Sequence, residues 1–214
     1  MSGTSMTQRL LIATTNLHKV EEFRGLLAGL PYELVSLTDV GIAADVAETG
    51  QTFAENATIK AVAYAELAGL LALADDSGLE IDALDGAPGL YSARWAGPEV
   101  TYAVRNRLIV ERLAGLPDER RGARYRCAIA IAAPPPRGLV GVVEATFEGR
   151  IAKAPAGTGG FGYDPIFLVP EDGRTVGQMS AEEKSRISHR ARAAAGQSAP
   201  HPARLHRQCA ARRP

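Results

Sequence analysis

Apolar positions recur along the chain with two different periods, and the switches between them mark out its elements. Arg9-Leu10-Leu11-Ile12-Ala13-Thr14 is a short apolar run and reads as a buried strand. From Leu17 to about Ala28 the apolar residues Val20, Phe23, Leu26 and Leu27 fall at helical spacing, and Gly29 and Pro31 follow as stop signals. Tyr32–Leu37 alternates like a strand. The segment from Thr38 to Gly50 has no clear period and carries acidic residues. Thr52 followed by Glu55 predicts a capping box, with Thr52 as N-cap and Glu55 reaching back to it. The Ala-rich run to Ala68 favours helix, and Gly69 suits its C-terminal end. Leu71-Ala72-Leu73-Ala74 reads as a buried strand that closes at Asp75-Asp76-Ser77-Gly78, and Leu79–Leu84 as a further strand.

Val100–Leu113 reads as a helix ended by Gly115 and Pro117. Ala123–Ala133 and Leu139–Ile151 are long β-patterned segments around Pro134–Gly138, as in an antiparallel hairpin. Ile166–Val169 is a last short strand, and Ser180 with Glu183 forms a second capping-box pattern. Strands and helices that alternate at first and then give way to longer β segments predict an α/β fold with a mixed β-sheet.

The length of 214 residues suits one domain or two closely joined lobes, and 46% hydrophobic content is enough for a proper core. Residues 1–8 are expected to be a disordered N-terminal leader, 9–195 the folded domain, and 196–214 a basic tail rich in Ala, Arg and Pro. Formal net charge is zero, which argues against bulk electrostatic capture of nucleic acid or of an anionic membrane surface. An anionic ligand would need a local basic cluster. No apolar run has the length of a membrane span, and the start of the chain lacks a signal-peptide pattern. The two cysteines form neither a disulfide framework nor a zinc site, so a reducing, cytoplasmic compartment is expected.

Five stretches could carry chemistry. Asp75 and Asp76 are adjacent carboxylates, a costly arrangement unless a cation neutralises them; Mg²⁺ shared with substrate phosphates is one solution, and ordinary Asp-Ser-Gly turn chemistry is the other. Thr14-Thr15-Asn16-Leu17-His18-Lys19 joins a strand to a helix N-terminus, which favours anions; it is not a Walker A loop, and Lys19 could equally be a solvated charge. Glu48 precedes the capped helix, on which Asn56 and Lys60 share a face, so Glu48 could supply a second metal carboxylate. Gly157-Thr158-Gly159-Gly160-Phe161-Gly162-Tyr163-Asp164 sets aromatics between glycines, as a loop would that brings backbone and a stacking ring to a flat base. Glu182-Glu183-Lys184-Ser185-Arg186-Ile187-Ser188-His189-Arg190 adds a basic cluster with a histidine.

Together these motifs resemble the inosine triphosphate pyrophosphatase family. The matching residues are Thr14–Lys19, Glu48-Thr49-Gly50 with Phe53, Glu55-Asn56-Ala57 and Lys60, Ala74–Leu79, Gly86-Ala87-Pro88-Gly89 with Tyr91–Arg94, Gly157–Phe167, and Glu182–Lys184 with Ile187–Arg190. They span about Arg9 to Arg192 in the family's order; Thr15, His18 and the tail after about Ala193 depart from its pattern. The resemblance implies an elongated mixed sheet with flanking helices, forming two lobes around a central cleft. It implies a homodimer that needs Mg²⁺ and hydrolyses ITP, dITP or XTP to the nucleoside monophosphate and pyrophosphate.

The roles it implies are as follows. Asp76 is the catalytic base and, with Glu48, a metal ligand, and Asp75 supports it. Thr14, Thr15, Asn16, Leu17, His18 and Lys19 contact the phosphates, with Lys60 and Ser77 as further binding groups. Phe161, Gly162, Tyr163, Asp164, Lys184, His189 and Arg190 form the base pocket. Alternatives are a pyrophosphatase for other modified or standard nucleotides, or a non-catalytic nucleotide- or RNA-binding module.

Overall fold

In the computed structural model, which describes residues 8–195, β1 (Gln8–Ile12) is followed by α1 (Leu17–Leu26), β2 (Tyr32–Ser36), α2 (Phe53–Ala68) and β3 (Leu71–Ile81). Gln8 thus belongs to a strand, while the rest of the expected leader and the tail at 196–214 lie outside the described residues. After β3 come α3 (Tyr102–Arg112), β4 (Gly122–Ala133), β5 (Gly138–Ile151), β6 (Phe167–Val169), β7 (Arg174–Thr175), α4 (Ala181–Ile187) and α5 (His189–Ala194). The seven strands form one sheet in the order β2-β1-β3-β4-β5-β6-β7. β1 pairs in parallel with β2 and β3, whereas β5–β6 and β6–β7 are antiparallel, so the sheet is mixed as the pattern predicts.

The chain divides into two compact units. Among the described residues, the first holds 8–76, 128–144 and 194–195, and the second holds 77–127 and 145–193. In the first unit the order β2-β1-β3 means that the chain moves one way along the sheet through α1 and back through α2. Crossovers between parallel strands are right-handed as a rule, which puts the two helices on opposite faces. Val20 and Phe23 of α1, and Ala57, Ala61 and Tyr64 of α2, are buried.

Local chemistry starts and stops these helices. Asn16 caps α1, its Oδ1 accepting from the N–H groups of His18 at 3.0 Å and Lys19 at 3.4 Å. Thr52 caps α2 by accepting from Glu55 N at 3.1 Å, but the expected reciprocal half of the box is displaced by one residue. Glu55 Oε2 accepts from Gln51 N at 2.7 Å instead of from Thr52. Gly69 ends α2 in the left-handed conformation, with φ of 64°.

The largest departure from expectation lies in β3. The strand does not end at the aspartates; it runs through Asp75-Asp76-Ser77-Gly78 to Ile81, and what was expected as Leu79–Leu84 supplies its last residues and a single 3₁₀ turn at Asp82–Leu84. Lysines from the covering helices neutralise the two carboxylates, so the strand has no need to stop where they occur.

In the second unit Leu79, Ile81, Ile109, Tyr125, Phe147 and Phe167 belong to one buried apolar cluster. Helix α3 is fixed at both ends. Thr101 Oγ1 accepts from Val104 N, and the buried Arg121 donates to the carbonyls of Leu113 at 2.6 Å, Ile151 at 2.7 Å and Ala152 at 2.8 Å. The capping box expected at α4 is complete: Glu183 N donates to Ser180 Oγ at 3.1 Å and Ser180 N to Glu183 Oε2 at 2.7 Å. Hydrogen bonds from Arg174 and the Ser180 N–H hold the Glu183 carboxyl down at about 2.

Thr52→Ala is expected to cost about 1 kcal/mol of stability through loss of the α2 cap. Urea unfolding followed by helical circular dichroism would measure it; an unchanged midpoint would show that the cap contributes nothing.

Candidate active site

Successive residues of a strand point to opposite faces. Asp75 and Asp76 therefore do not sit side by side against one partner. Asp75 meets Lys19 of α1, with Oδ2 2.9 Å from Nζ, and its side chain is wholly buried. Asp76 meets α2: Oδ1 lies 3.6 Å from Lys60 Nζ, and Oδ2 accepts from Asn56 Nδ2 at 3.0 Å. Lys60 also donates to Glu48 Oε1 at 2.6 Å, so one ammonium is shared by two carboxylates. Asn56 is a buried bridge, its Oδ1 accepting from Gly50 N at 2.8 Å while its amide holds Asp76. A Cβ on Gly50 would come 2.8 Å from Asn56 Oδ1, so glycine permits the approach.

The charges of this cluster are mutually adjusted. Burial lifts the Asp76 carboxyl above the usual carboxylate range; Lys60 and Asn56 pull it back and Glu48 adds to the rise, for a net upward shift. Burial alone would lower Lys60, but Asp76, Asp75 and Glu48 together outweigh it and raise the ammonium's pKa. Among the described residues no group of three or more His, Cys, Asp or Glu could cage a metal ion. The two-carboxylate set of Glu48 and Asp76 does fit a divalent cation that takes its remaining ligands from water and phosphates. That these two carboxylates already converge on one cationic group is the structural basis for the fit.

Of the phosphate-binding candidates, Lys19 and Lys60 join this cluster through their ion pairs. Thr14 Oγ1 accepts from Asn16 N at 3.2 Å, which shapes the loop, and Thr15, Leu17 and His18 are exposed along it. Two first-turn N–H groups expected to face an anion are taken by the Asn16 side chain.

A second cluster lies in the second unit and is organised by Asp164. The carboxylate is buried. Oδ1 accepts from Tyr125 Oη at 3.1 Å, and Oδ2 accepts from Lys184 Nζ at 2.6 Å and from Phe161 N at 2.8 Å. A Cβ on Gly160 would overlap this carboxylate, so the loop can wrap Asp164 only with glycine there. The Phe161 ring is partly exposed, with Lys184 Nζ 4.5 Å and Arg190 Cζ 5.4 Å from its centroid. Arg190 donates to Ser77 Oγ at 2.7 Å. His189 stacks on Tyr125 at 4.7 Å between centroids.

Two further candidates make contacts inside the protein. Both Asp164 oxygens accept internal hydrogen bonds. The Tyr163 ring belongs to the buried apolar cluster, and its hydroxyl donates to Ser92 O at 2.8 Å.

A model described as Ham1 family matches residues 10–197. The chain belongs to the Ham1 family. It is 50% identical over 186 residues to the dITP/XTP pyrophosphatase of Geobacillus kaustophilus, an alignment covering 87% of this chain and 90% of that one. To the protein of the same description from Symbiobacterium thermophilum it is 53% identical over 188 residues, covering 88% and 92%. Among solved structures it resembles a HAM1 protein from Coxiella burnetii, with a TM-score of 0.77, 41% identity, and coverage of 87% and 94%. It also resembles a nucleoside-triphosphatase, dITP/XTP pyrophosphatase, from Mycobacterium abscessus, with a TM-score of 0.68, 44% identity, and coverage of 89% and 98%.

In this Ham1 protein, helical spacing sets Asn56 on the face of Lys60, and only the fold shows that its amide holds Asp76. Tyr125 carries no signal in the sequence, because a tyrosine on a β-patterned segment reads as core. Its hydroxyl gains meaning only once β4 is set beside the Asp164 loop.

The Asp76 shift has a consequence for stability. A carboxyl whose pKa is higher folded than unfolded favours the fold below its unfolded pKa, and that advantage is lost as pH rises through the folded value. Asp76→Asn is therefore expected to gain stability relative to the native protein between about pH 4 and about pH 7. Urea midpoints at both pH values would test this; an equal difference at the two would contradict it.

Proposed function

We propose that this chain hydrolyses non-standard purine nucleoside triphosphates, dITP, XTP and ITP, to the nucleoside monophosphate and pyrophosphate. The observation that carries the reading is the cluster of Asp76, Glu48, Lys60, Asn56, Lys19 and Asp75 at the carboxyl end of parallel strands, where α/β sheets bind ligands. Family membership and relatives described as dITP/XTP pyrophosphatases support it.

In this reading Asp76 accepts the proton of the attacking water. Its raised carboxyl pKa makes it a better base than an exposed aspartate. Water attacks the α-phosphorus, the α–β phosphoanhydride breaks, and pyrophosphate leaves. Asn56 holds Asp76 Oδ2, which orients the other oxygen. Lys19 and Lys60 offer positive charge to the phosphates. Glu48 and Asp76 would hold Mg²⁺, which when bound neutralises phosphate charge.

The base is assigned to the second cluster, with Phe161 as its stacking face. Lys184 and Arg190 are donors only, and the one carboxylate there, Asp164, is internally engaged. That cluster favours the 6-keto oxygen of hypoxanthine or xanthine over the 6-amino group of adenine.

Pyrophosphate release would be measured with dITP, XTP, ITP, GTP and ATP, with and without a divalent-metal chelator. Turnover of dITP and XTP is expected, with ATP disfavoured by up to about 10⁴-fold. The chelator is expected to abolish activity. Asp76→Asn is expected to lower kcat by about 10²- to 10⁴-fold. Equal turnover of ATP and dITP would overturn the selectivity, and an active Asp76→Asn would remove Asp76 from its role.

A further inference from the structure

Helix α3 holds the backbone of the aromatic loop. Asn106, on the buried side of α3, donates from Nδ2 to the carbonyl of Gly162 at 3.1 Å, across 56 residues of sequence. Gly162 follows Phe161 directly and has φ of 69°. One turn earlier on α3, the Tyr102 ring lies 3.6 Å from where a Gly162 Cβ would be and meets Tyr163 edge-on, with centroids 5.2 Å apart. On the other side of Phe161, its own N–H is held by Asp164. The segment that carries the Phe161 ring is thus pinned at the Phe161 N–H by a carboxylate and one residue later, at the Gly162 carbonyl, by an amide.

The other half of that amide is unsatisfied. Asn106 Oδ1 is buried and has no hydrogen-bond partner among the described residues. Turning the amide over would set oxygen against the Gly162 carbonyl, so the donor's direction is fixed by chemistry. A buried acceptor left unpaired lowers stability, and an apolar side chain of the same shape would avoid that loss. What such a side chain cannot do is donate to Gly162.

We propose that Asn106 is a positioning residue for the nucleobase: it fixes the Gly162 carbonyl, and through it the set of the Phe161 ring, at the expense of an unsatisfied buried oxygen. The inference rests on the reading of the Phe161 loop as the base-binding element.

The test compares native protein, Phe161→Ala, Asn106→Leu and Asn106→Asp in steady-state pyrophosphate release from dITP and XTP, with thermal midpoints for each. Asn106→Leu is expected to raise KM about tenfold, as for one lost hydrogen bond, with kcat kept within about twofold. Its thermal midpoint is expected to be equal or higher, which a merely structural asparagine would not give. Asn106→Asp keeps the shape but faces Gly162 O with an acceptor, and is expected to raise KM at least as much. Should Asn106→Leu fail to fold, Asn106→Ser takes its place under the same KM and kcat criteria. A native KM in these variants, or a loss confined to kcat, would overturn the proposal. If Phe161→Ala leaves KM unchanged, the base-loop reading itself fails. If Phe161→Ala raises KM and the Asn106 variants do not, that reading stands and only the role of Asn106 falls.

Discussion

Two adjacent buried carboxylates on one strand must face opposite sides of the sheet, and each must then find its own cation. That constraint organises the first unit. Asp75 takes Lys19 from α1, and Asp76 shares Lys60 of α2 with Glu48. Neither lysine could serve its aspartate unless the two helices lay on opposite faces. The reversal of direction in the order β2-β1-β3 provides this. Topology and electrostatics therefore depend on one another: a strand that alternates its charges needs a sheet covered on both sides. A buried carboxylate that lost its lysine would be strongly destabilising, so the pairs hold the helices to the strand as well as tuning the site.

The second unit is built on the same principle with one carboxylate in place of two. Asp164 gathers a backbone N–H, a lysine and a tyrosine hydroxyl, and the loop that carries Phe161 closes over it. Tyr125 joins this group to the stacked His189 and to the Phe167 core. The basic residues of α4 and α5 are brought together because Ser188 separates two short helices, so Lys184 and His189-Arg190 emerge from different segments.

Periodicity and capping made most of the elements legible. Helix α2 was marked at both ends by Thr52 and Gly69, and α4 by Ser180 with Glu183. What misled was the reading of Asp-Ser-Gly as a strand end. Turn propensity is a local preference, and here two ion pairs from distant helices override it. The displaced reach of Glu55 toward Gln51 is too fine a detail for a pattern match, since it depends on how the preceding loop approaches the helix. Site residues that stand in motifs were recognisable as candidates, but their orientation was not. Tyr163 and Asp164 lie in the same loop as Phe161, yet the Tyr163 hydroxyl is bonded to Ser92 O and the Asp164 carboxylate takes three internal donors. Asn106 and Tyr125 carry no local motif, because their partners are distant in sequence.

The internal hydrogen bonds of Asp164 bear on how selectivity would arise. An open carboxylate in a base pocket would accept from the 6-amino group of adenine and so reward the wrong base. With its oxygens engaged by Tyr125, Lys184 and the Phe161 N–H, Asp164 offers adenine little, while the charge it balances keeps Lys184 in place as a donor. Specificity is a difference between two affinities, and removing an attraction to the competitor changes it as surely as adding one to the substrate. In the proposed reading, the discrimination therefore comes as much from hydrogen bonds the protein makes to itself as from those it would make to a keto purine. A change that opened Asp164 without touching Lys184 or Arg190 would erode selectivity through the amino purine's gain.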